Sequence, residues 1–155
     1  EHASEGNEQA QRLGEMAAAE GCGMVVASAK LEQEISALNA EEREEVMSLY
    51  NLTNTALWRI AAASTDLLGL HVFFTAGPKE VRAWPIRKGA TAQQAARVIH
   101  SDIARGFITA ETLSFQHFVD LQGDVSAAKE AGVWRLEGRD YVCRDGDVFN
   151  FRFNV

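Results

Sequence analysis

The stretch from residue 73 to residue 107 constrains the fold of this chain more than any other. Two apolar runs, Val72–Thr75 and Val81–Ile86, are separated by Gly77–Lys79, a combination typical of a tight turn. The second run alternates, as a strand with one buried face does. Pro85 interrupts it, and because proline cannot donate to a sheet ladder, the strand is predicted at an edge or a bulge. The pattern predicts a β-hairpin.

A helix is predicted after this hairpin. Thr91 and Gln94 have the spacing of a capping box, and Gly106 is expected to end the helix. Alanines and Ile99 recur on its inner side, and Phe107–Phe115 alternates as a third strand. Later short strands are predicted at 133–136, 141–143 and 148–153, with helices at 116–121 and 124–131. One helix across a mixed sheet in this order indicates an α+β, ubiquitin-like β-grasp fold.

The first third of the chain has a different pattern. Helices are predicted at 7–20, 31–38, 39–50 and 54–68, the third opened by a capping box from Asn39 to Glu42. Met24–Ala27 is short and wholly apolar, which suits a buried parallel strand. A helix, a strand and a helix form half of an α/β unit, so we expect a missing N-terminal partner. The chain begins with Glu1 rather than Met, and we expect it to start mid-protein.

Composition narrows the class of protein. A hydrophobic content of 46% with 24% charged residues is typical of a globular chain, and a net charge of −7 disfavours broad nucleic-acid binding. A local basic patch can still bind RNA. Cys22 and Cys143 favour reduced intracellular thiols over a disulfide. No run approaches the ~18 apolar residues of a membrane span. We expect a cytoplasmic protein with no membrane partner.

Two segments of the second half resemble the C-terminal TGS domain of the YchF or Obg-like ATPase family. They are FFTAGPKEVRAWPIRKGATAQQAARVIHSDIARGFITAE and KEAGVWRLEGRDYVCRDGDVFNFRFNV. The resemblance covers 70–155 and implies a β-grasp module. Upstream, LGEMAAAEGCGMVVASAKLEQEISALNAEER resembles the end of the same family's nucleotide-binding domain. The resemblance therefore implies two domains: 1–69, a remnant of a P-loop domain with connecting helices, and 70–155, the TGS domain.

The resemblance also implies a nucleotide site in the whole protein. Members of this family hydrolyse ATP with Mg, and GTP less well, using an Asn-x-x-Glu element beside the base. Glu1 falls on the Glu of that element, and Ser28, Ala29 and Lys30 fall on the loop beside the base. The G-x-x-x-x-G-K-[ST] phosphate loop is absent from this sequence. We therefore expect the chain alone to bind no nucleotide tightly and to have no catalytic residue.

Other polar residues favour structural roles. His100 and Asp102 are expected to cap a helix end rather than to perform acid–base chemistry. The segment 145–147 reads as a turn rather than a calcium loop, and the histidines lack partners at metal-ligand spacing, so no metal site is predicted. Three phenylalanines at 149, 151 and 153 share one strand face. Such a face can stack RNA bases, but packing against the helix is favoured.

A basic cluster is the best candidate for binding. Between Gly77 and Thr91 the positive charges outnumber Glu80, and Arg82 shares a strand face with Trp84 if the alternation holds. The candidate RNA- or ribosome-binding residues are Lys79, Arg82, Trp84, Arg87 and Lys88. A solvated strand edge is the other interpretation.

Two functions remain open. In the first, the module docks the ATPase on the ribosome, through ribosomal RNA or tRNA. In the second, it regulates its own N-terminal ATPase domain or binds another protein, without RNA contact. The net charge permits both interpretations.

Overall fold

The computed structural model describes residues 6–77 and 80–154. These residues fall into two compact units, and the chain passes from the first to the second between Leu68 and Gly69. Each unit has its own core and is described by itself. Among the described residues, no helix combines the length and the apolar character needed to cross a bilayer.

The described part of the first unit contains four helices, and each begins after a residue whose side chain accepts a hydrogen bond from the first turn. The helices are α1 (Glu8–Ala19), α2 (Ala29–Ser36), α3 (Ala40–Leu49) and α4 (Ala56–Leu67). The predicted capping box between Asn39 and Glu42 is present at the start of α3. Thr55 caps α4, because its side chain accepts from the amide of Trp58. Such side-chain acceptors satisfy amides that have no partner within the helix.

The predicted strand at residues 24–27 is wrong. This segment runs between α1 and α2 without regular secondary structure. A strand is defined by its ladder hydrogen bonds, and no other strand lies in the described part of this unit. Val25 and Val26 are half-buried, so the apolar run still packs. The α/β remnant predicted for this part of the chain is therefore helical as it stands here.

Helices α2, α3 and the turn after α3 form a small core. Leu31, Ile35 and Leu52 are buried in it. Glu32 fastens the start of α4 to α2, because its carboxylate accepts a 2.8 Å hydrogen bond from the amide of Ala56. The long apolar side chains of α4 are mainly exposed: Leu57 and Leu67 are 76% and 80% exposed. This helix is held mainly at its N-terminal end.

The second unit is a five-stranded sheet with helices, in the order β2-β1-β5-β3-β4. Its elements are β1 (Leu70–Ala76), β2 (Val81–Arg87), α5 (Ala92–Ile99), α6 (Ser101–Arg105), β3 (Phe107–Ser114), α7 (Phe115–Asp120), α8 (Val125–Glu130), β4 (Arg135–Glu137) and β5 (Asp147–Phe153). The central β1–β5 pair is parallel, whereas the other pairs are antiparallel. This order and the α5 crossover confirm the predicted β-grasp fold.

The core lies between the sheet and α5. Phe73 and Phe149 are essentially buried, with ring centroids 5.5 Å apart. Alanines of α5 let the helix approach these rings closely, and all three that face the core are fully buried. Phe151 is buried as predicted, but Phe153 is 40% exposed because β5 ends there. The phenylalanines are thus mainly core residues and not an open stacking face.

The predicted helix after the hairpin is broken in two. His100 has φ −162° and ψ 143°, so it is extended between α5 and α6. Its Nδ1 accepts from the amide of Asp102 at 3.2 Å, which makes His100 the N-cap of α6. The chain after Gly106 then enters β3, and the amide of Asn154 donates to the carbonyl of Gly106 at 2.9 Å. A Cβ at Gly106 would overlap the carbonyl oxygen of Asn154.

One predicted strand is absent from the second unit. Tyr141–Cys143 makes a single bridge, from Val142 to Thr91, and the amide of Cys143 donates to the carbonyl of Ala90 at 2.9 Å. The segment is therefore tied to the loop before α5 and not to a strand ladder. Its side chains, Cys143 above all, fill the end of the core.

Candidate functional sites

The first candidate site lies at the start of α2. Ser28 caps this helix, and its Oγ accepts from the amide of Leu31 at 3.4 Å. Ser28 and Lys30 line a cavity of about 610 Å³ within the first unit, and Ala29 is not among the lining residues. The wall is formed by Gly6, Asn7, Ala10, Val26, Ala27, Ser28, Lys30, Leu31, Glu34 and Tyr50. Glu1 lies outside the described residues.

The lining of this cavity combines apolar and polar groups in similar measure. Val26 and Leu31 supply aliphatic surface, while Asn7, Lys30 and Tyr50 supply hydrogen-bonding groups. Pockets for planar ligands typically combine these two features. Two of the sequence-predicted residues, Ser28 and Lys30, are brought to one concave surface. Lys30 is the one cation among these lining residues, and Glu34 is the one carboxylate.

The second candidate site is on strand β2, at the edge of the sheet. The alternation holds, because Arg82 lies over the ring of Trp84, with Cζ 4.1 Å from the centroid. Trp84 donates from Nε1 to the hydroxyl of Thr75 at 2.9 Å, and its ring stacks on Phe73 at 6.4 Å. Arg82 also approaches Glu80 at 3.9 Å. Trp84 is therefore a half-buried ring that contacts Arg82, Thr75 and Phe73.

This geometry changes the role expected of Trp84. A base could stack on the ring only after Arg82 moved away, and the cation–π contact is worth about 0.5–1 kcal/mol at an exposed site. Arg87 and Lys88 are exposed at the end of β2, where the Lys88 amide donates to the carbonyl of Gly69 at 2.8 Å. Lys79 lies outside the described residues. We call Arg82, Arg87 and Lys88, at or beside β2, the basic edge. The groups that it exposes are guanidinium and ammonium groups.

The open edge of β2 is shaped by Pro85, which lies opposite Val72. The Val72 amide donates to Oδ1 of Asp145 at 2.8 Å, and its carbonyl accepts from Gly146, so the backbone groups of Val72 face away from β2. In an antiparallel ladder the opposite residue then also faces outward. The nitrogen of Pro85 therefore lies on the open edge and offers no donor there.

A buried charged cluster was not found from the sequence. Asp147, 2% exposed, accepts hydrogen bonds from the Tyr141 hydroxyl at 2.9 Å, Nη2 of Arg135 at 3.2 Å and the amide of Arg144 at 2.8 Å. Burial, then the hydrogen bond to Asp147, raises the pKa of Tyr141 above its usual range. Burial, then the Asp147 charge, raises the pKa of Cys143 to about 12. The only sequence signal was an acidic residue at the start of an apolar strand.

The histidine and aspartate pairs predicted to be structural have the geometry of caps and turns. His100 caps α6, and Asp102 pairs with Arg105 at 2.8 Å. Asp145 accepts from the Val72 amide and so joins the turn before β5 to β1. Each carboxylate is thus used to hold backbone or a neighbouring cation.

The chain has an α+β fold with a TGS-like β-grasp unit, and this fold defines its class. Residues 70–154 match the model of the family YchF-GTPase_C, which is described as "Protein of unknown function (DUF933)". The chain is a member of this YchF GTPase C-terminal family. The resemblance found in the sequence is thereby confirmed.

Curated relatives support the same assignment. The chain is 47% identical over 151 residues to the ribosome-binding ATPase YchF of Haemophilus influenzae, covering 97% of this chain and 41% of that protein. It is 45% identical over 150 residues to the Bacillus subtilis protein of the same name, covering 97% of this chain and 41% of that protein. Obg-like ATPase 1 of Rattus norvegicus is 47% identical over 128 residues, covering 83% and 32%. The chain spans about two-fifths of the bacterial relatives.

Solved structures agree in fold. The YchF GTPase of Schizosaccharomyces pombe superposes with a TM-score of 0.72 and 29% identity, covering 94% of this chain and 39% of that one. A GTP-binding protein from Pyrococcus horikoshii OT3 superposes with a TM-score of 0.64 and 20% identity, covering 97% and 43%. The second likeness concerns the fold alone.

Proposed function

We propose that this chain is the C-terminal part of an ATP hydrolase that associates with ribosomes, and that its β-grasp unit docks on ribosomal RNA. Residues 1–69 would complete the nucleotide-binding domain, and residues 70–155 would form the docking unit. The relatives named as ribosome-binding ATPases support the general activity. In the whole protein ATP would bind with Mg.

In this proposal the cavity beside α2 faces the base of the nucleotide. Ser28 and Lys30 line the cavity, and the backbone of Ala29 starts the helix between them. The phosphate-binding motif G-x-x-x-x-G-K-[ST] does not occur in this sequence. Phosphate binding and hydrolysis would therefore depend on residues of the whole protein beyond this chain, and the chain alone would be inactive.

The observation that carries the docking proposal is the concentration of cations at the basic edge. Arg82, Arg87 and Lys88 lie at or beside β2 in a chain of net charge −7, and the carboxylate of Glu80 lies 3.9 Å from Arg82. Arginine and lysine at an exposed edge can neutralise backbone phosphates, and such contacts fix position without reading sequence. The contact between Arg82 and the ring of Trp84 supports phosphate contact rather than base stacking.

Charge reversal tests the proposal. The double variant Arg87→Glu, Lys88→Glu changes two exposed residues and leaves the Arg82–Trp84 contact intact. We expect ribosome co-sedimentation of the chain to weaken by about tenfold or more at low salt, and the slope of log affinity against log salt to fall by about one for each lost phosphate contact.

Arg12→Glu is the control for a charge reversal elsewhere on the chain, because Arg12 is exposed on α1; each of the single variants Arg87→Glu and Lys88→Glu changes the net charge by the same amount as this control. Binding of the double variant equal to that of the wild type across a salt series would contradict RNA docking. It would favour the other function, in which the unit regulates its own N-terminal ATPase domain through protein contacts.

A further inference from the structure

A polar cavity of about 430 Å³ lies in the elbow between α5 and α6. It is separate from the residues of the basic edge. The described lining residues are Gln93, Gln94, Arg97, Ser101, Ala104 and Arg105. None of these residues is acidic, although acidic residues outnumber basic ones in the chain as a whole. The elbow exists because His100 is extended and turns the chain between the two helices.

The hydrogen-bonding groups of this cavity favour an anion. Oε1 of Gln94 already accepts from the amide of Thr91 at 2.8 Å, so the amide nitrogen of Gln94 remains as a donor. Gln93 is held in place, because its Nε2 donates to the carbonyl of Ala104 at 3.2 Å. Ser101 adds a hydroxyl. Among the described residues, Arg97 makes no hydrogen bond or ion pair, so its five donors face solvent.

Arg105 completes the site in a different way. It pairs with Asp102 at 2.8 Å, and Asp102 also lies 3.5 Å from His100. Asp102 itself is not among the described lining residues of the cavity. One arginine is thus fixed by a carboxylate and the other is unpaired within the described chain, which leaves the cavity with a surplus of positive charge. Guanidinium groups bind phosphate by paired donors.

We propose that this elbow cavity binds a backbone phosphate of RNA, and that it extends the RNA contact of the β-grasp unit from the basic edge to the helical layer. The inference rests on the proposed function. An acidic peptide fits less well, because peptide docking draws on apolar contacts and the cavity offers only Ala104 as an apolar wall. RNA needs donors and positive charge, which the cavity has.

The experiment measures binding of the 155-residue chain to a fluorescent ten-nucleotide single-stranded RNA and to purified ribosomes. Arg97→Glu is the test variant, since Arg97 is exposed and supports no described contact. Arg97→Lys tests the need for charge alone, and Arg12→Glu is the matched control. We expect Arg97→Glu to weaken both interactions at least about fivefold and to lower the salt slope by about 0.7 on the single strand. Arg97→Lys should lose less.

The outcomes separate this inference from the proposed function. If Arg97→Glu binds like the wild type while the Arg87, Lys88 double variant is weakened, the elbow cavity is not a phosphate site, and RNA docking through the basic edge remains supported. If Arg97→Glu is weakened while the double variant is not, the phosphate site in the elbow cavity is supported and RNA docking through the basic edge is wrong. Competition by polyglutamate or ADP as effective as by unlabelled RNA would also overturn the assignment to RNA.

Discussion

The carboxylate of Asp147 is predicted to be a principal support of the β-grasp unit. It binds three groups that precede it in the chain: Arg135 on β4, the Tyr141 hydroxyl and the backbone amide of Arg144. Asp147→Asn keeps the shape of the side chain, removes its charge and replaces one acceptor oxygen by a donor. The new NH₂ group would face donors that need acceptors.

The magnitude follows from the three contacts. Hydrogen bonds to a charged group contribute about 1.5–3 kcal/mol each when buried, but Asn keeps one acceptor and Arg135 is partly exposed, at 34% of its side chain. We expect the free energy of unfolding to fall by about 2–4 kcal/mol. For a unit of this size, that corresponds to a fall in Tm of about 10–25 °C.

The assay must report on this unit alone. Of the three tryptophans, Trp58 lies on α4 and is 56% exposed, whereas Trp84 and Trp134 belong to the β-grasp unit. In a Trp58→Phe background, fluorescence during urea unfolding therefore follows the second unit. Tyr141→Phe completes a double-mutant cycle with Asp147→Asn, and we expect a coupling energy of about 1–2 kcal/mol.

Asp140→Asn serves as the control, because Asp140 is an exposed aspartate in the same loop region. It should change the free energy of unfolding by less than about 0.5 kcal/mol. The reasoning is refuted if Asp147→Asn is as stable as this control, or if its effect adds to that of Tyr141→Phe without coupling. Either result would mean that the carboxylate cluster is not cooperative.

Further predictions concern burial and close approach. At pH 8, DTNB should modify Cys22 at once and Cys143 only on unfolding, since a pKa of about 12 leaves about one thiol in ten thousand ionised; rapid modification of two thiols would contradict this. Between about pH 9 and pH 12 the Cys143 thiol stays protonated in the folded chain and ionises in the unfolded chain, so the free energy of unfolding should fall as the pH rises through this range. Cys143→Ala should flatten that fall in urea titrations at different pH values. Gly106→Ala should lower the Tm of the second unit, because its methyl group meets the Asn154 carbonyl; an unchanged Tm in calorimetry would show that the strand end yields. Ile35→Ala should cost the first unit about 2–4 kcal/mol by circular dichroism while leaving the second unit's fluorescence transition in place; a shift of both would show coupled unfolding.

The β-grasp fold could be predicted because its signals are local. Turn residues, a capping box and alternation in β3 and β5 each specify an element within a few residues. The strand predicted for Met24–Ala27 was wrong for a different reason. An apolar run indicates burial, but whether it becomes a strand depends on a neighbouring strand that its own residues do not encode.

The candidate sites were predicted only in part. The pairing of Arg82 with Trp84 followed from strand periodicity, but the second partner of that ring, Phe73, comes from the neighbouring strand. The elbow cavity needed the break at His100, which a continuous helical pattern conceals. The Asp147 cluster needed three segments to meet. The first and third cases depend on contacts between different elements, and the second depends on a local break that the residue pattern does not show.

The position of Pro85 has a consequence for how this protein behaves at high concentration. A sheet grows by adding strands at its edges, and this sheet ends in β2 on one side and in the three-residue β4 on the other. β4 offers too little length for a lasting pair, while Pro85 breaks the row of donors along β2. The sheet is thus terminated at both sides by its own sequence. A basic edge that stays unpaired in a crowded cell remains available to other ligands.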